Sequence, residues 1–235
     1  MMRSLTTVLL VLAARPYATA QQNSPTIESS GLPAASERKV SMHEEVWLRL
    51  ADEPSRLMKQ ADENFLRRKY EMAADQLHRA GAYLHGAASH ADKETKSALE
   101  ASAAEVDRLT AGIKSGVVAS RRELEDAFAR AEYALAAYQH LKAKEALDRR
   151  DYKIAGTYLD TAVTHAENTA RWMGHELEAS ANRIVESAYA TSGELVNGAG
   201  FVVRDVEGVM DDIGAELEKL GMIVNSPHRH TKSGR

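Results

Sequence analysis

The chain of 235 residues contains no cysteine, which excludes disulfides, thiol chemistry, covalent haem attachment and a lipoprotein anchor. Proline is also scarce: the five prolines lie at 16, 25, 33, 54 and 227, so residues 55–226 contain none. That stretch is rich in Ala, Glu, Leu, Arg and Lys, which are strong helix formers. Runs of alternating apolar and polar residues, typical of strands, are missing. The sequence therefore predicts an all-α fold.

Several signatures of function are missing as well. The sequence has no phosphate-binding loop, no Gly-x-Ser-x-Gly and no dinucleotide-binding fingerprint. It has no basic stripe, which argues against nucleic-acid binding. Its longest apolar stretch is far shorter than the roughly 20 residues that span a bilayer, so we expect no stable membrane insertion. These absences predict a protein that is not an enzyme.

The N-terminus has the three parts of a secretory signal peptide. Arg3 provides the charged region, residues 5–14 form an apolar stretch, and Ala18-Thr19-Ala20 is a small-x-small cleavage site. We expect cleavage near Ala20 and a periplasmic or secreted product. Removal of residues 1–20 takes away Arg3 and Arg15 and no acid, which changes the net charge from −4 to −6.

The rest of the chain divides into three parts. Residues 21–39 are polar, contain two prolines and show no apolar period, so we expect a disordered linker. Residues 40–222 form the predicted helical domain, and residues 223–235 a disordered tail. Capping boxes at residues 41–44 and 120–123 predict helix starts, and Ser89-His-Ala-Asp92 is expected to open a third helix. The helix after Asp151 is expected to continue past Gly174 to about residue 190, and the last helix to run from about 200 to a stop at Gly221.

The most informative pattern is a pair of matching segments, residues 61–80 and 143–162. Eight of the twenty aligned positions are identical: Ala61/Ala143, Glu63/Glu145, Arg67/Arg149, Arg68/Arg150, Tyr70/Tyr152, Ala73/Ala155, Leu77/Leu159 and Ala80/Ala162. Each copy reads as a helix end, a tight turn and the start of the next helix. The sequence therefore predicts an antiparallel helical bundle with two related hairpins, an internal duplication, and a C-terminal amphipathic helix.

The spacing Tyr-x-x-Ala-x-x-x-Leu-x-x-Ala, present from Tyr70 and from Tyr152, carries two resemblances. It resembles the second half of a tetratricopeptide hairpin, although the period is 82 residues rather than about 34. Over roughly residues 55–175 the chain is also similar to the YfdX-like group of exported bacterial helical proteins. That resemblance implies a soluble, periplasmic, stress-related and often oligomeric protein, with no catalytic residues to carry over.

Nine histidines raise the question of a metal site. Helical sites usually pair ligands three or four residues apart, and no two helical histidines here have that spacing. The best grouping is Asp75 with His78 and His85. An alternative function is thus a periplasmic metal- or haem-binding carrier that uses His78, His85 and either His140 or His165. The spacing predicts no cofactor.

The function that the sequence favours is a non-enzymatic periplasmic scaffold that acts through protein–protein contacts, with envelope stress as the expected process. A protein partner or self-association is expected. The predicted interaction surface is the pair of turns: Arg67, Arg68, Tyr70, Arg149, Arg150 and Tyr152. The glutamates of the helix after Ser120, including Glu125 and Glu132, are assigned to its solvated face.

Overall fold

The computed structural model describes residues 44, 46–117, 120–174 and 179–226, and these confirm the all-α bundle. No strand occurs among them, and a short helical stretch at 46–49 precedes seven helices. The helices are α1 Glu53–Leu66, α2 Tyr70–His90, α3 Lys93–Lys114, α4 Arg121–Asp148, α5 Tyr152–Trp172, α6 Ala179–Asn197 and α7 Val203–Val224. The expected signal peptide, the linker and most of the tail lie outside the described residues. Within the described part, no helix combines the length and apolar character that crossing a bilayer requires.

The helices begin where the sequence offers first-turn and capping residues. Pro54 occupies the first turn of α1, where its missing N–H costs nothing. The Ser120 hydroxyl accepts from the Glu123 N–H, and the Asp151 carboxylate accepts from the Ile154 N–H. Helix α3 is capped by Asp92, the last residue of the predicted start at 89–92, because α2 continues through His90.

The Asp92 cap yields a first prediction. Its carboxylate accepts from both the N–H and the hydroxyl of Thr95, and these hydrogen bonds lower the pKa of Asp92. We expect Asp92→Ala to lower the free energy of unfolding by about 1 kcal/mol. Ser89→Ala is the matched control, and we expect a change under about 0.5 kcal/mol because this exposed hydroxyl only bonds within α2. Urea unfolding of both variants checks this, and equal losses would contradict it.

The 82-residue period extends well beyond the two hairpins. Helix α2 begins at Tyr70 and α5 at Tyr152, whereas α4 begins at Arg121 and α7 at Val203, and both offsets are 82 residues. Buried positions repeat at the same offset: Leu99/Ala181, Val106/Ala188, Ile113/Leu195, Phe128/Met210 and Leu135/Leu217. The domain is therefore two consecutive four-helix units, as expected for a structure built by duplication.

The two units share α4, which has its N-terminal half in the first unit and its C-terminal half in the second. The first core is built on α1, α2, α3 and the start of α4, with Leu77, Leu99 and Phe128 among its buried residues. The second is built on the end of α4 and on α5, α6 and α7, with Leu159, Leu195 and Leu217. Where the two cores meet in the middle of α4, buried residues lie on most sides of the helix, so α4 carries small or apolar residues around most of its circumference.

The two hairpin turns have the same backbone geometry. The Lys69 N–H donates to the Asn64 carbonyl at 2.8 Å, and the Asp151 N–H donates to the Ala146 carbonyl at 2.9 Å. Arg68 and Arg150 are left-handed, with φ of 57° and 60°. This is the hydrogen-bond pattern that ends helices when one residue adopts the left-handed conformation. The repeated sequence thus produces a repeated turn, with an arginine where glycine is the usual residue.

Two predicted helix ends are wrong. Helix α5 stops at Trp172 instead of continuing to about 190, because Gly174 adopts a left-handed φ of 68° and ends the helix. Helix α7 does not stop at Gly221 but runs to Val224, two residues into the expected tail. Gly221 lies inside the helix, where a Cβ would collide with the Tyr133 hydroxyl and ring on α4. Its role is to let α4 and α7 approach closely.

Candidate functional site

The turn between α1 and α2, residues 66–72, is here named the first turn. Arg67, Arg68 and Lys69 are exposed and form no ion pair with any residue that the structure describes. Leu66 and Met72 flank them and are 54% and 52% exposed. Tyr70 is half-buried against Phe65, with ring centroids 5.6 Å apart. The first turn therefore presents unpaired positive charge beside apolar surface.

The equivalent residues 148–154 between α4 and α5 form the second turn, which is used inside the molecule. Arg149 donates to the Glu44 carboxylate at 3.0 Å, and the Tyr152 ring lies 4.9 Å from that of Phe201. Ile154 is half-buried against the second core. Three residues of the second turn were predicted to interact with a partner: Arg149, Arg150 and Tyr152. Of these, only Arg150 is exposed and has no ion pair with a described residue.

Other connections bring further basic residues to the first turn. Arg121, at the start of α4, donates to the Asp62 carboxylate in the last turns of α1 at 3.2 Å. Because α2 and α3 pack as a hairpin, the end of α3 returns to the same end of the unit. We name this surface the basic end: Leu66, Arg67, Arg68, Lys69, Met72, Lys114, Val117, Arg121 and Arg122. Its exposed acids are fewer: Glu63, Glu71 and Glu123.

Val117 is the most exposed large apolar side chain in the described part of the protein, at 71%. With Leu66 and Met72 it gives the basic end three exposed apolar side chains, beside cations of which only Arg121 forms an ion pair with a described residue. Single exposed apolar residues are ordinary on protein surfaces, but apolar residues grouped with polar ones are typical of interaction sites. The chemistry of this surface suits an acidic partner with some apolar surface.

The predicted metal grouping does not form. Asp75, His78 and His85 are all exposed on α2, and His85 Nε2 lies 2.9 Å from Asp107 Oδ2 on α3. The described residues contain no group of three or more His, Cys, Asp or Glu side chains placed to hold a metal ion. The additional histidines of the carrier hypothesis have partners elsewhere, since His140 and His165 are engaged in the bundle.

His140 joins α4 to α7. Its Nε2–H donates to the Met210 carbonyl at 2.8 Å, and burial, the larger influence, lowers the pKa of the imidazole. The folded state therefore holds the ring neutral, and the unfolded chain takes up a proton first as the pH falls. The contribution of His140 to stability is present above its ordinary pKa of about 6.5 and is lost below it.

The lowered pKa of His140 predicts that stability falls as the pH falls, and that replacing His140 reduces this fall. Between about pH 7 and pH 5, we expect the free energy of unfolding to fall less steeply in His140→Gln than in the unaltered protein. Glutamine can still donate to the Met210 carbonyl but does not titrate. Urea unfolding at several pH values measures the two slopes. Equal slopes would contradict the assignment.

A buried polar cluster lies where the two units meet. The Ser55 hydroxyl on α1 donates to Glu132 Oε2 at 2.9 Å, and His165 Nδ1 on α5 lies 2.6 Å from the same oxygen. Glu132 and His165 have fully buried side chains, so the assignment of Glu132 to a solvated face is wrong. Glu132 Oε1 and His165 Nε2 are buried with no partner among the described residues.

The cluster contains the residue types of a serine hydrolase but not their arrangement. In the Ser–His–acid relay, the serine and the acid bond to different ring nitrogens. Here the Ser55 hydroxyl, at 3.2 Å, and Glu132 both approach Nδ1 of His165. The ring therefore cannot accept a proton from serine at one nitrogen while the acid orients it through the other. The cluster acts as a polar connection between α1, α4 and α5.

A cleft of about 450 Å³ opens between residues 44–49 and the start of α5. Its lining includes two acids and two bases, so it sets up no field of one sign. The lining residues are Glu44, Leu48, Arg49, Asp151, Lys153, Ile154 and Thr157. Because Glu44 also holds Arg149, the cleft is part of the packing that covers the second turn.

Comparison with protein-family models, with curated proteins and with solved structures finds no match for this chain. Its function is therefore argued from its own residues.

Sequence reasoning found the arginines and tyrosines of the two turns but missed three features of the site. It missed Lys69, Leu66 and Met72, which lie within or beside the matched segments, and Val117 and Arg122 in the connection before α4. The signal was present in residues 114–122, Lys-Ser-Gly-Val-Val-Ala-Ser-Arg-Arg, where basic and apolar residues lie close together in a connection between helices. It also missed the burial of Glu132, for which the abundance of alanine around it on α4 was the available sign.

Proposed function

We propose that the protein is a non-enzymatic helical scaffold of the periplasm that acts through protein–protein contacts at the basic end. The proposal rests on one observation: the two turns have the same backbone geometry, but only one of them has its arginine paired within the molecule. The second turn is engaged by Glu44 and Phe201, whereas the cations of the first turn are unpaired within the described residues. A side chain that the fold does not employ is available to a partner.

The physical chemistry of the first turn defines that partner. Three adjacent cations beside Leu66 and Met72 favour acidic groups next to apolar ones. Charge complementarity of this kind mainly steers encounter and selects the partner. The apolar side chains add area that is removed from water on contact.

The proposed periplasmic location and the proposed role in envelope stress rest on sequence features. The signal peptide of residues 1–20 supports a periplasmic place, and the YfdX-like resemblance, seen over roughly residues 55–175, supports a role in envelope stress. The lack of catalytic motifs supports a non-enzymatic role, as does the single-nitrogen geometry at His165.

Site-specific photocross-linking tests the proposal. Glu71 and Lys153 occupy equivalent exposed positions of the two turns, 82 residues apart. With benzoylphenylalanine at one or the other position, in the periplasm of a Gram-negative cell producing the full chain, we expect discrete adducts from position 71 and few from 153. Adding Arg67→Glu and Lys69→Glu should remove the adducts from position 71. Equal yields at both positions, or adducts that survive the reversal, would refute the proposal.

A further inference from the structure

The exposed face of α7 has the charge opposite to that of the basic end. Its buried face packs through Val206, Met210, Ile213 and Leu217 into the second core. The rest of its surface is exposed and carries Arg204 and Lys219 among more numerous acids, and four of these acids form no ion pair with any described residue: Asp205, Glu207, Asp212 and Glu218. Asp211 on this face pairs with Lys144 at 3.1 Å. We name these exposed residues the outer face of α7.

The repeat explains why this face is charged. Asp211 and Glu218 stand 82 residues after Ala129 and Ala136 on α4. Both alanines are buried, and Ala136 belongs to the second core, so this side of α4 is where the first unit meets the second. On α7, charges replace the alanines. They prevent a further unit from stacking by apolar contact, as in terminal repeats of repeat proteins. Whatever binds this face must satisfy its negative charge.

We propose that the protein self-associates head to tail, with the basic end of one copy docked on the outer face of α7 of the next. The proposal deepens the proposed function, on which it rests, by naming the partner of the basic end. The two surfaces belong to different units, and no ion pair joins them within the described part of one copy. Their opposite charges are therefore available to each other between copies.

The geometry of such a contact is heterologous. The surface that docks differs from the surface that receives it, so a joined pair still has one outer face and one basic end free, and further copies extend it into a ring or an open row. Val117, Leu66 and Met72 would lose exposed apolar area on docking. Gly208 and Ala215 lie between the acids of the outer face, and a Cβ at Gly208 would meet nothing within 4 Å, so the surface there is open to approach.

Light scattering coupled to size exclusion, on the full chain without the predicted signal peptide, tests the inference. We expect association at about 25 mM salt that weakens roughly tenfold by about 250 mM, because exposed charges are screened. Arg67→Glu/Lys69→Glu and Glu207→Lys/Glu218→Lys should each abolish it. These substitutions leave Arg68, which has a left-handed backbone, and the paired Asp211 unchanged.

The decisive step is to mix the two reversed variants. The negative turn of the Arg67→Glu/Lys69→Glu variant can dock on the positive α7 of the Glu207→Lys/Glu218→Lys variant, and the unaltered surfaces of the two variants can dock on each other. An equimolar mixture should therefore associate again although neither variant does alone. Lys93→Glu/Arg108→Glu on α3 is the control for the first variant, because it makes the same change in net charge as Arg67→Glu/Lys69→Glu at exposed positions outside both surfaces, and it should associate as the unaltered protein does.

Three results would overturn the inference: a monomer at every salt concentration, association that neither reversal changes, or a mixture that fails to recover. Sedimentation with phosphatidylglycerol vesicles adds a further arm. Vesicle binding that the Arg67→Glu/Lys69→Glu variant loses, with no self-association, would assign the basic end to lipid instead. If the chain is monomeric but position 71 still gives reversal-sensitive adducts with another protein, the proposed function stands and only the second copy is wrong.

Discussion

Glu132→Ala is expected to lower the free energy of unfolding by about 3 kcal/mol, because it removes the carboxylate on which two buried hydrogen bonds converge and leaves a cavity. The substitution leaves the His165 ring, which is fully buried, without its acceptor at 2.6 Å, and it removes the acceptor of the Ser55 hydroxyl. Unpaired polar groups in the interior cannot recover their hydration. The total stability of a domain is about 5–15 kcal/mol, so the urea midpoint should fall markedly.

Two further variants separate the buried pair from a general effect on α4. Glu125→Ala removes a partly exposed carboxylate that pairs with Arg121 at 3.2 Å, and we expect a loss of about 0.5 kcal/mol. Glu132→Leu/His165→Leu removes both partners and should be more stable than Glu132→Ala, because neither half of the pair is left buried without its hydrogen-bond partner. If Glu132→Ala matched Glu125→Ala, the cluster would have no structural role.

The second large effect is expected at Gly156, where α5 and α6 approach most closely. A Cβ there would lie 2.7 Å from the Ser192 carbonyl oxygen and 2.8 Å from Leu195 Cβ. The oxygen belongs to the backbone of α6 and cannot rotate away. We expect Gly156→Ala to lower the free energy of unfolding by about 1–3 kcal/mol from overpacking, even though alanine favours the helix by about 1 kcal/mol.

Gly208→Ala provides the matched control on α7. A Cβ at Gly208 would meet no atom within 4 Å, so only the helix preference operates, and the variant should gain up to about 1 kcal/mol. Opposite signs for the two glycine substitutions, measured by urea unfolding, are the expected result. A stabilised Gly156→Ala variant would mean that α5 and α6 are farther apart than described.

The equivalence of the two turns could be predicted from the sequence. A left-handed residue and the start of a helix are local features, so Arg67-Arg68-Lys69-Tyr70 and Arg149-Arg150-Asp151-Tyr152, within the matched segments, fold alike. The bundle also follows from composition and apolar period. The extension of the 82-residue period to α3, α4, α6 and α7 was not visible, because burial repeats there while residue identity does not.

The differences between the turns could not be predicted, because they depend on tertiary contacts. Arg149 is engaged by Glu44, about a hundred residues earlier in the chain, and no local pattern pairs them. The same reason explains Glu132. Its position on a helix with acidic neighbours suggested solvent, but the middle of α4 contributes residues to both cores and Glu132 is fully buried there. The sequence suggested that Gly174 is tolerated within a helix, but its left-handed backbone conformation ends α5.

In the account proposed above, the first turn is exposed in the isolated protein and is covered by a partner in the cell. The second turn has the same exposure in both settings. Lysine acetylation followed by mass spectrometry tests this directly, because Lys69 and Lys153 are both exposed residues of equivalent turns. In the periplasm we expect Lys69 to be labelled several-fold more slowly than in the dilute protein at high salt, while Lys153 is labelled at similar rates in both. Equal labelling of Lys69 in the two settings would contradict the account.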